Sequence, residues 1–170
     1  MRISPLKLAR YLLILSLSMM VFGCAPAQPA ANANLIWAVG LSKYEVKNKL
    51  QIVETVKQYN GSYDEVHQQT PTDGHVYLIM NVSIKKQGSD PVPFDWSKLT
   101  VQDGAGNSYA RMSNDTFLEQ YKYTPRMTGL EIKFGENAGW LCYEIPTQAA
   151  DGKLALTYNA KGSQQEVVIK

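Results

Sequence analysis

From Ile36 onward, apolar and polar residues alternate along the chain, and no helical period competes with that alternation. The clearest stretch is His75 to Lys85. Val76, Leu78, Met80, Val82 and Ile84 fall on one face. His75, Tyr77, Asn81, Ser83 and Lys85 fall on the other, with Ile79 as the exception. A strand with one face on a core has this pattern. Trp140 to Ile145 behaves alike: Leu141, Tyr143 and Ile145 point one way, and Trp140, Cys142 and Glu144 point away from the main core. Pro146 ends that strand, because it has no N–H to give a ladder.

Further strands are predicted near Trp37–Val46, Lys49–Lys57, Lys98–Gln102, Ser108–Met112, Thr128–Phe134, Lys153–Tyr158 and Glu166–Ile169, with one helical turn inside Asn114–Tyr123. Turn residues separate them: Asp103-Gly104-Ala105-Gly106-Asn107, Gly135-Glu136-Asn137-Ala138-Gly139 and Asn159-Ala160-Lys161-Gly162-Ser163. Seven to nine short strands at this spacing predict an all-β fold. The expected form is an antiparallel β-sandwich over residues 35–170, favoured over a closed barrel.

The first residues follow another rule. Arg2, Lys7 and Arg10 precede a 12-residue apolar run, Tyr11 to Phe22, and then Gly23-Cys24. This is the layout of a secretory signal, and the run falls short of the ~20 residues a spanning helix needs. Val21-Phe22-Gly23-Cys24 resembles the lipobox of bacterial lipoproteins. The resemblance implies that residues 1–23 are a signal peptide and that Cys24 is lipidated and becomes the first mature residue. Two acyl chains anchor stably where one binds marginally. Residues 24–34, which hold no charge and no large apolar side chain, read as a flexible lipidated tether.

Three of the 17 basic residues precede Cys24, so the rest of the chain carries 14 basic against 15 acidic residues, a net charge of −1. That balance gives no nucleic-acid footprint. With Cys24 used for lipid, Cys142 has no cysteine to pair with inside the chain and reads as a structural residue; a reactive thiol is the alternative.

Several segments are similar to a known family. Asp73-Gly74-His75-Val76-Tyr77-Leu78-Ile79-Met80-Asn81-Val82 opens a central strand after a glycine, and Pro91-Val92-Pro93-Phe94 follows a polar turn. Leu99 to Tyr109 reads as strand, Asp-Gly turn and strand, and Gly139-Trp140-Leu141-Cys142-Tyr143-Glu144-Ile145-Pro146 comes late. This order resembles the telokin-like, immunoglobulin-like domain of unknown function found in Gram-positive lipoproteins. It is also similar in fold to a mycobacterial secreted immunogenic antigen. The resemblance implies no catalytic residues.

Candidate chemistry is sparse. His67, expected in a loop, and His75 form no HExxH or Cys/His motif, and no Gly-x-Ser-x-Gly elbow occurs. The Asp103–Asn107 loop lacks the downstream glutamate of a calcium loop. Asp64, Glu65, Asp90, Asp95 and Glu119 read as loop acids. No catalytic, cofactor or metal residue is therefore assigned. Aromatic residues in polar segments are the more suggestive feature: Tyr59, Tyr63, Phe94, Trp96, Phe117, Tyr121 and Tyr123. Phe94, Trp96, Phe117, Tyr121 and Tyr123 are the candidate interaction surface, since Tyr and Trp give large contact area at small entropic cost. Capping of the sandwich core is the other reading of the same residues. The expectation is a non-enzymatic lipoprotein outside the cytoplasm, held to the cell membrane at Cys24. It displays a binding module for an envelope protein or glycan, or else serves as an accessory envelope protein without a ligand of its own.

Overall fold

The computed structural model describes residues 35–87, 89, 91–127 and 136–170. The expected strand Thr128–Phe134, the signal segment, Cys24 and the tether lie outside them. Among the described residues the strands are β1 (Trp37–Lys47), β2 (Leu50–Gln58), β3 (Gly61–Gln69), β4 (His75–Lys86), β5 (Leu99–Asp103), β6 (Ser108–Ala110), β7 (Glu136–Pro146), β8 (Leu154–Ala160) and β9 (Ser163–Val168). Two short helices, α1 (Phe117–Gln120) and α2 (Thr147–Asp151), and a 3₁₀ turn at Trp96–Lys98 complete the order.

Three sheets result: β1-β4-β7, β6-β5-β8-β9 and the separate ribbon β2-β3, all antiparallel. The first two face each other, three strands on four, as in immunoglobulin-like sandwiches. Between them lie Leu78, Met80, Val82, Leu141 and Tyr143 from one sheet and Leu99, Val101, Leu156 and Tyr158 from the other, all essentially without solvent contact. The expected β-sandwich is the observed one.

The predicted faces of β4 hold on the main core side and need correction on the other. Tyr77 and Ile79 do not face solvent. They are buried in a second apolar cluster with Leu50, Leu118 and Cys142. The three-stranded sheet is therefore covered on both faces over its middle. The expected turn at Gly135–Gly139 is also corrected: Glu136 to Gly139 are strand, paired with Lys85 to Val82. Gly139 is there for close approach, since a Cβ would come within 3.0 Å of Met127 N and Pro125 O. Those atoms belong to a segment that bridges β7 through Arg126 and Trp140.

A bulge in β1 changes which residues face the core. The register with β4 shifts between Leu41 and Lys43, leaving Ser42 unpaired. Val39 and Leu41 sit opposite Ile84 and Val82, whereas past the bulge Tyr44 and Val46 sit opposite Met80 and Leu78. The extra residue inverts the alternation, so Lys43, Glu45 and Lys47 share the second face with Ile79 and Tyr77.

Side chains of β9 close the free edge of β1. The Trp37 N–H donates to Ser163 Oγ at 2.9 Å, and Ser163 is fully buried. The Gln165 amide accepts from Val39 N–H at 3.1 Å and donates to Trp37 C=O at 2.8 Å. One side-chain amide thus replaces one peptide unit of a neighbouring strand and joins the two sheets. Gln165→Leu keeps the side-chain bulk and leaves both backbone groups unpaired. It is expected to lower the unfolding free energy by about 1–3 kcal/mol in urea denaturation, and a neutral result would remove the bridge from the account.

Candidate interaction surface

The five aromatic residues proposed from sequence do not form one surface. Phe94 is only 9% exposed and belongs to the main core. Its ring stacks on Tyr158 with centroids 4.4 Å apart and meets the edges of Trp37 and Trp96. The Tyr158 hydroxyl accepts from Asp95 N–H, and Trp37 Nε1 donates to Val92 C=O. Phe94 is thus corrected from surface to core. Trp96 is half-buried above it, with the Arg111 guanidinium 4.9 Å from its ring centre.

Phe117, Tyr121 and Tyr123 are half-buried and belong to the second cluster. They lie on the segment from Arg111 to Met127, which crosses the outer face of β4 and β7. Phe117 packs on Tyr77, and Tyr123 meets the edge of Trp140. The Tyr123 hydroxyl donates to Glu45 Oε2 at 3.0 Å. Lys43 and Lys47 contact the same carboxylate at 2.7 and 3.1 Å. The hydrogen bond from Lys43, with Lys47 and Tyr123 adding, holds the Glu45 carboxyl down at about 2 against the opposing effect of burial.

Asp115 anchors the same segment. It has no solvent contact, accepts from Arg126 Nη1 at 2.9 Å and lies 3.7 Å from Arg111 Nε. Glu119 sits 3.4 Å from Arg126 Nε. Removing one partner of such a buried pair strands the other charge. Cys142 lies under this cover. It points away from the main core as expected, yet it is fully buried, and burial pushes its thiol far above the usual range. A thiol held protonated there is not a nucleophile.

The acids and histidines occupy equally settled positions. Asp103 accepts from Ala105 N–H, Asn107 N–H, Asn107 Nδ2 and the Tyr109 hydroxyl, all within 2.9 Å. These bonds, led by Asn107, hold its carboxyl at about 2. Both its oxygens serve the β5–β6 turn. A cleft of about 410 Å³ opens beside that turn, lined by Asp103, Asn107, Tyr109, Gln148 and Lys153. No group of three His, Cys, Asp or Glu side chains among the described residues is arranged to hold a metal ion. No helix among them is long and apolar enough to cross a membrane.

The feature that the pattern missed is β3. Tyr63, Asp64, Glu65 and His67, expected in loops, form a strand paired with β2 over nine residue pairs. The ribbon is anchored at its base by Leu50 in the second cluster and by the Tyr77 hydroxyl, which donates to Thr70 C=O. Beyond that it stands in solvent. Val53 is 52% exposed, Val66 55%, Tyr63 49%, and Tyr59 at the tip is fully exposed.

The family of the domain of unknown function DUF4352 matches residues 44–167. This chain belongs to it. The matched DUF4352 region begins within β1, contains the whole ribbon and ends within β9. Among solved structures the chain is similar to a conserved hypothetical protein from Bacillus anthracis. Identity there is 21%, coverage 79% of this chain and 87% of that one, and the TM-score 0.50. It is also similar to an uncharacterized β-sandwich protein from Clostridium difficile, with 15% identity, coverage of 79% and 85%, and a TM-score of 0.40. No curated protein matches it. The likeness to the Bacillus protein is one of fold.

Two outcomes follow from this geometry. Phe94→Ala is expected to cost about 3–5 kcal/mol of stability as a core truncation, and Tyr59→Ala less than about 0.5 kcal/mol as a surface change; equal losses in thermal unfolding would contradict the assignment. Glu45 has a folded pKa of about 2 against its ordinary 4.5. Its contribution is therefore complete above pH 4.5 and fades as pH falls toward 2. Glu45→Gln is expected to flatten the acid limb of a stability-versus-pH curve, which an unchanged limb would refute.

Proposed function

We propose that the DUF4352 chain is a membrane-tethered, non-catalytic interaction module whose contact element is the β2–β3 ribbon. The observation that carries this reading is the ribbon's exposure. Its two strands pair only with each other among the described residues, and Tyr59, Tyr63, Val53 and Val66 stand in solvent. Isolated hairpins are marginal in water, so a long one projecting from a sandwich gives little stability to the fold. Among the described residues, the titratable groups with strongly perturbed acidity, Cys142, Tyr143, Tyr123, Asp103 and Glu45, are each engaged by burial or by internal partners. That supports a binding role over a catalytic one.

The anchor is the Cys24 thiol, on the likeness of Val21-Phe22-Gly23-Cys24 to a lipobox, and the domain stands outside the cytoplasm. The telokin-like lipoprotein resemblance agrees with that placement. Trp37 pairs with Lys86 at one end of the β1-β4-β7 sheet and Lys47 with Tyr77 at the other. The chain therefore enters the domain at one end, and the ribbon leaves from the opposite one.

Two measurements bear on the proposal. Acyl labelling in cells is expected on the wild-type chain and absent from Cys24→Ser, which stays uncleaved; an unlabelled wild-type chain would refute the anchor. A photo-crosslinking residue placed at Tyr59 in the full chain should give a discrete adduct, and one at the exposed Gln120 should give none. No adduct at Tyr59, or the same adducts at both places, would show that the ribbon is not the contact element.

A further inference from the structure

The open edge of β3 has features that point to a specific occupant. The β2–β3 turn is two residues long, Tyr59 and Asn60, and closes on the pair Gln58–Gly61. A two-residue turn closes on a hydrogen-bonded pair, and such pairs alternate along an antiparallel ribbon. In β3 the residues bonded to β2 are therefore Gly61, Tyr63, Glu65, His67 and Gln69. Ser62, Asp64, Val66 and Gln68 direct their N–H and C=O groups away from β2. Among the described residues no strand pairs with this edge.

Edges of this kind are usually blunted by lysine, proline or a bulge. The edge of β3 has none of them, and its register with β2 runs unbroken. The β2 side differs, since it carries Lys57 on the strand and Lys49 just before it. The less protected edge is thus β3, whose charged residues are the acidic Asp64 and Glu65.

We infer that β3 pairs with β3 of a second copy of this chain, antiparallel about a two-fold axis at Val66. The inference rests on the reading of the ribbon as the contact element. A two-fold axis in an antiparallel pair must set some residue opposite its own copy, which leaves few registers. An axis at Glu65 or Asp64 sets like charges face to face. The axis at Val66 sets Val66 opposite the partner's Val66 as a hydrogen-bonded pair, using the outward backbone groups. The same register sets Glu65 opposite the partner's His67 twice, as close non-hydrogen-bonded pairs. It also sets Asp64 opposite the partner's Gln68, and Tyr63 opposite the partner's Gln69.

The side chains agree with this register on both faces. On one face Val53 already sits opposite Val66, so the pairing extends two half-exposed valines into a row of four across four strands. On the other face Glu54 and Glu65 sit directly opposite each other, with His67 Nε2 3.8 and 3.7 Å from them. Like charges opposite one another destabilise a ribbon, and a second imidazole beside Glu65 offers that carboxylate a further hydrogen-bond donor. An isologous contact of this type closes at two chains.

Cysteine substitution in the full-length chain, in the membranes of expressing cells under mild oxidation, tests the pairing. Across the axis the two residue-66 Cα atoms lie about 5.5 Å apart, within disulfide range. Residue 53, as exposed as residue 66, lies about 14 Å from its copy, three strand spacings away. Val66→Cys is expected to convert most of the chain to a disulfide-linked dimer, while Val53→Cys and wild type stay monomeric. In the Val66→Cys background, Glu65→Lys should abolish the dimer. That change also relieves the Glu54 repulsion inside the ribbon, so the loss would not reflect unfolding. Adding His67→Glu sets opposite charges across the axis and should restore the dimer. Equal crosslinking at positions 53 and 66 would mean random collision. A maleimide-accessible but uncrosslinked Val66→Cys would mean no pairing. Either result overturns the dimer, and an adduct to another protein at Tyr59 would still leave the ribbon as a contact element.

Discussion

The pairing of β4 with β7 is the constraint from which the rest of the fold follows. Eleven residue pairs run from His75–Pro146 to Lys85–Glu136 without a break. Alternate residues of both strands point into the main core, and the intervening ones include Tyr77, Ile79 and Cys142, which are equally dry. A sheet apolar on both faces needs two covers. The four-stranded sheet supplies one, and the Arg111–Met127 segment supplies the other. Burying side chains such as Tyr77 and Ile79 contributes on the order of 1.5–3 kcal/mol each, so leaving the second face open is not an option for this sequence. The buried Asp115 between Arg111 and Arg126, and the Tyr123–Glu45 bond, fix where that cover lies.

This double burial explains which parts of the sequence were legible. Alternation identified the main-core face of β4 and β7, because Val76, Leu78, Met80, Val82 and Ile84 follow a strict two-residue period. It misjudged the second face, since Tyr77 and Cys142 are chemically compatible with either solvent or core. Only the placement of a distant segment decides between them. Gly139 is similar: a glycine beside Asn137 reads as a turn, and its role as a close-approach site depends on Pro125 and Met127 arriving from outside the strand. The bulge at Ser42 shows only as one three-residue step, from Leu41 to Tyr44, in an otherwise two-residue period, and a single such step does not by itself specify a bulge.

The β3 strand was missed for the opposite reason. A strand that buries nothing on either face leaves no alternation to detect. Its burial pattern is almost wholly exposed, so Gly61 to Gln69 has the composition of a loop. The informative signal was the turn: Asn60 and Gly61, just after a recognised strand, are turn-favouring residues, and the two-residue turn Tyr59-Asn60 closes on Gly61. Gly61 adopts φ 143°, a conformation suited to glycine. Weighing that dipeptide would have placed Tyr63, Glu65 and His67 on a strand. The aromatic residues show a related limit. Phe94 and Tyr123 both sit in polar stretches, yet one stacks in the main core and the other seals the second face. Local composition does not separate capping from display.

The ribbon therefore stands apart from the logic of the sandwich. Every other strand among those described contributes to the main core or closes one of its edges, down to Gln165 imitating a peptide unit. The β2 and β3 strands bury only Leu50, and the sheet would be covered on both faces without their outer two-thirds. Ordering some eighteen residues costs about 1–2 kcal/mol of backbone entropy each, and little apolar burial offsets it within this chain. Hydrogen bonding between two strands stabilises by only about 0.5–1.5 kcal/mol per bond. On the proposed reading of the ribbon as the contact element, a surface outside the monomer would complete the burial of a segment held straight at such small return.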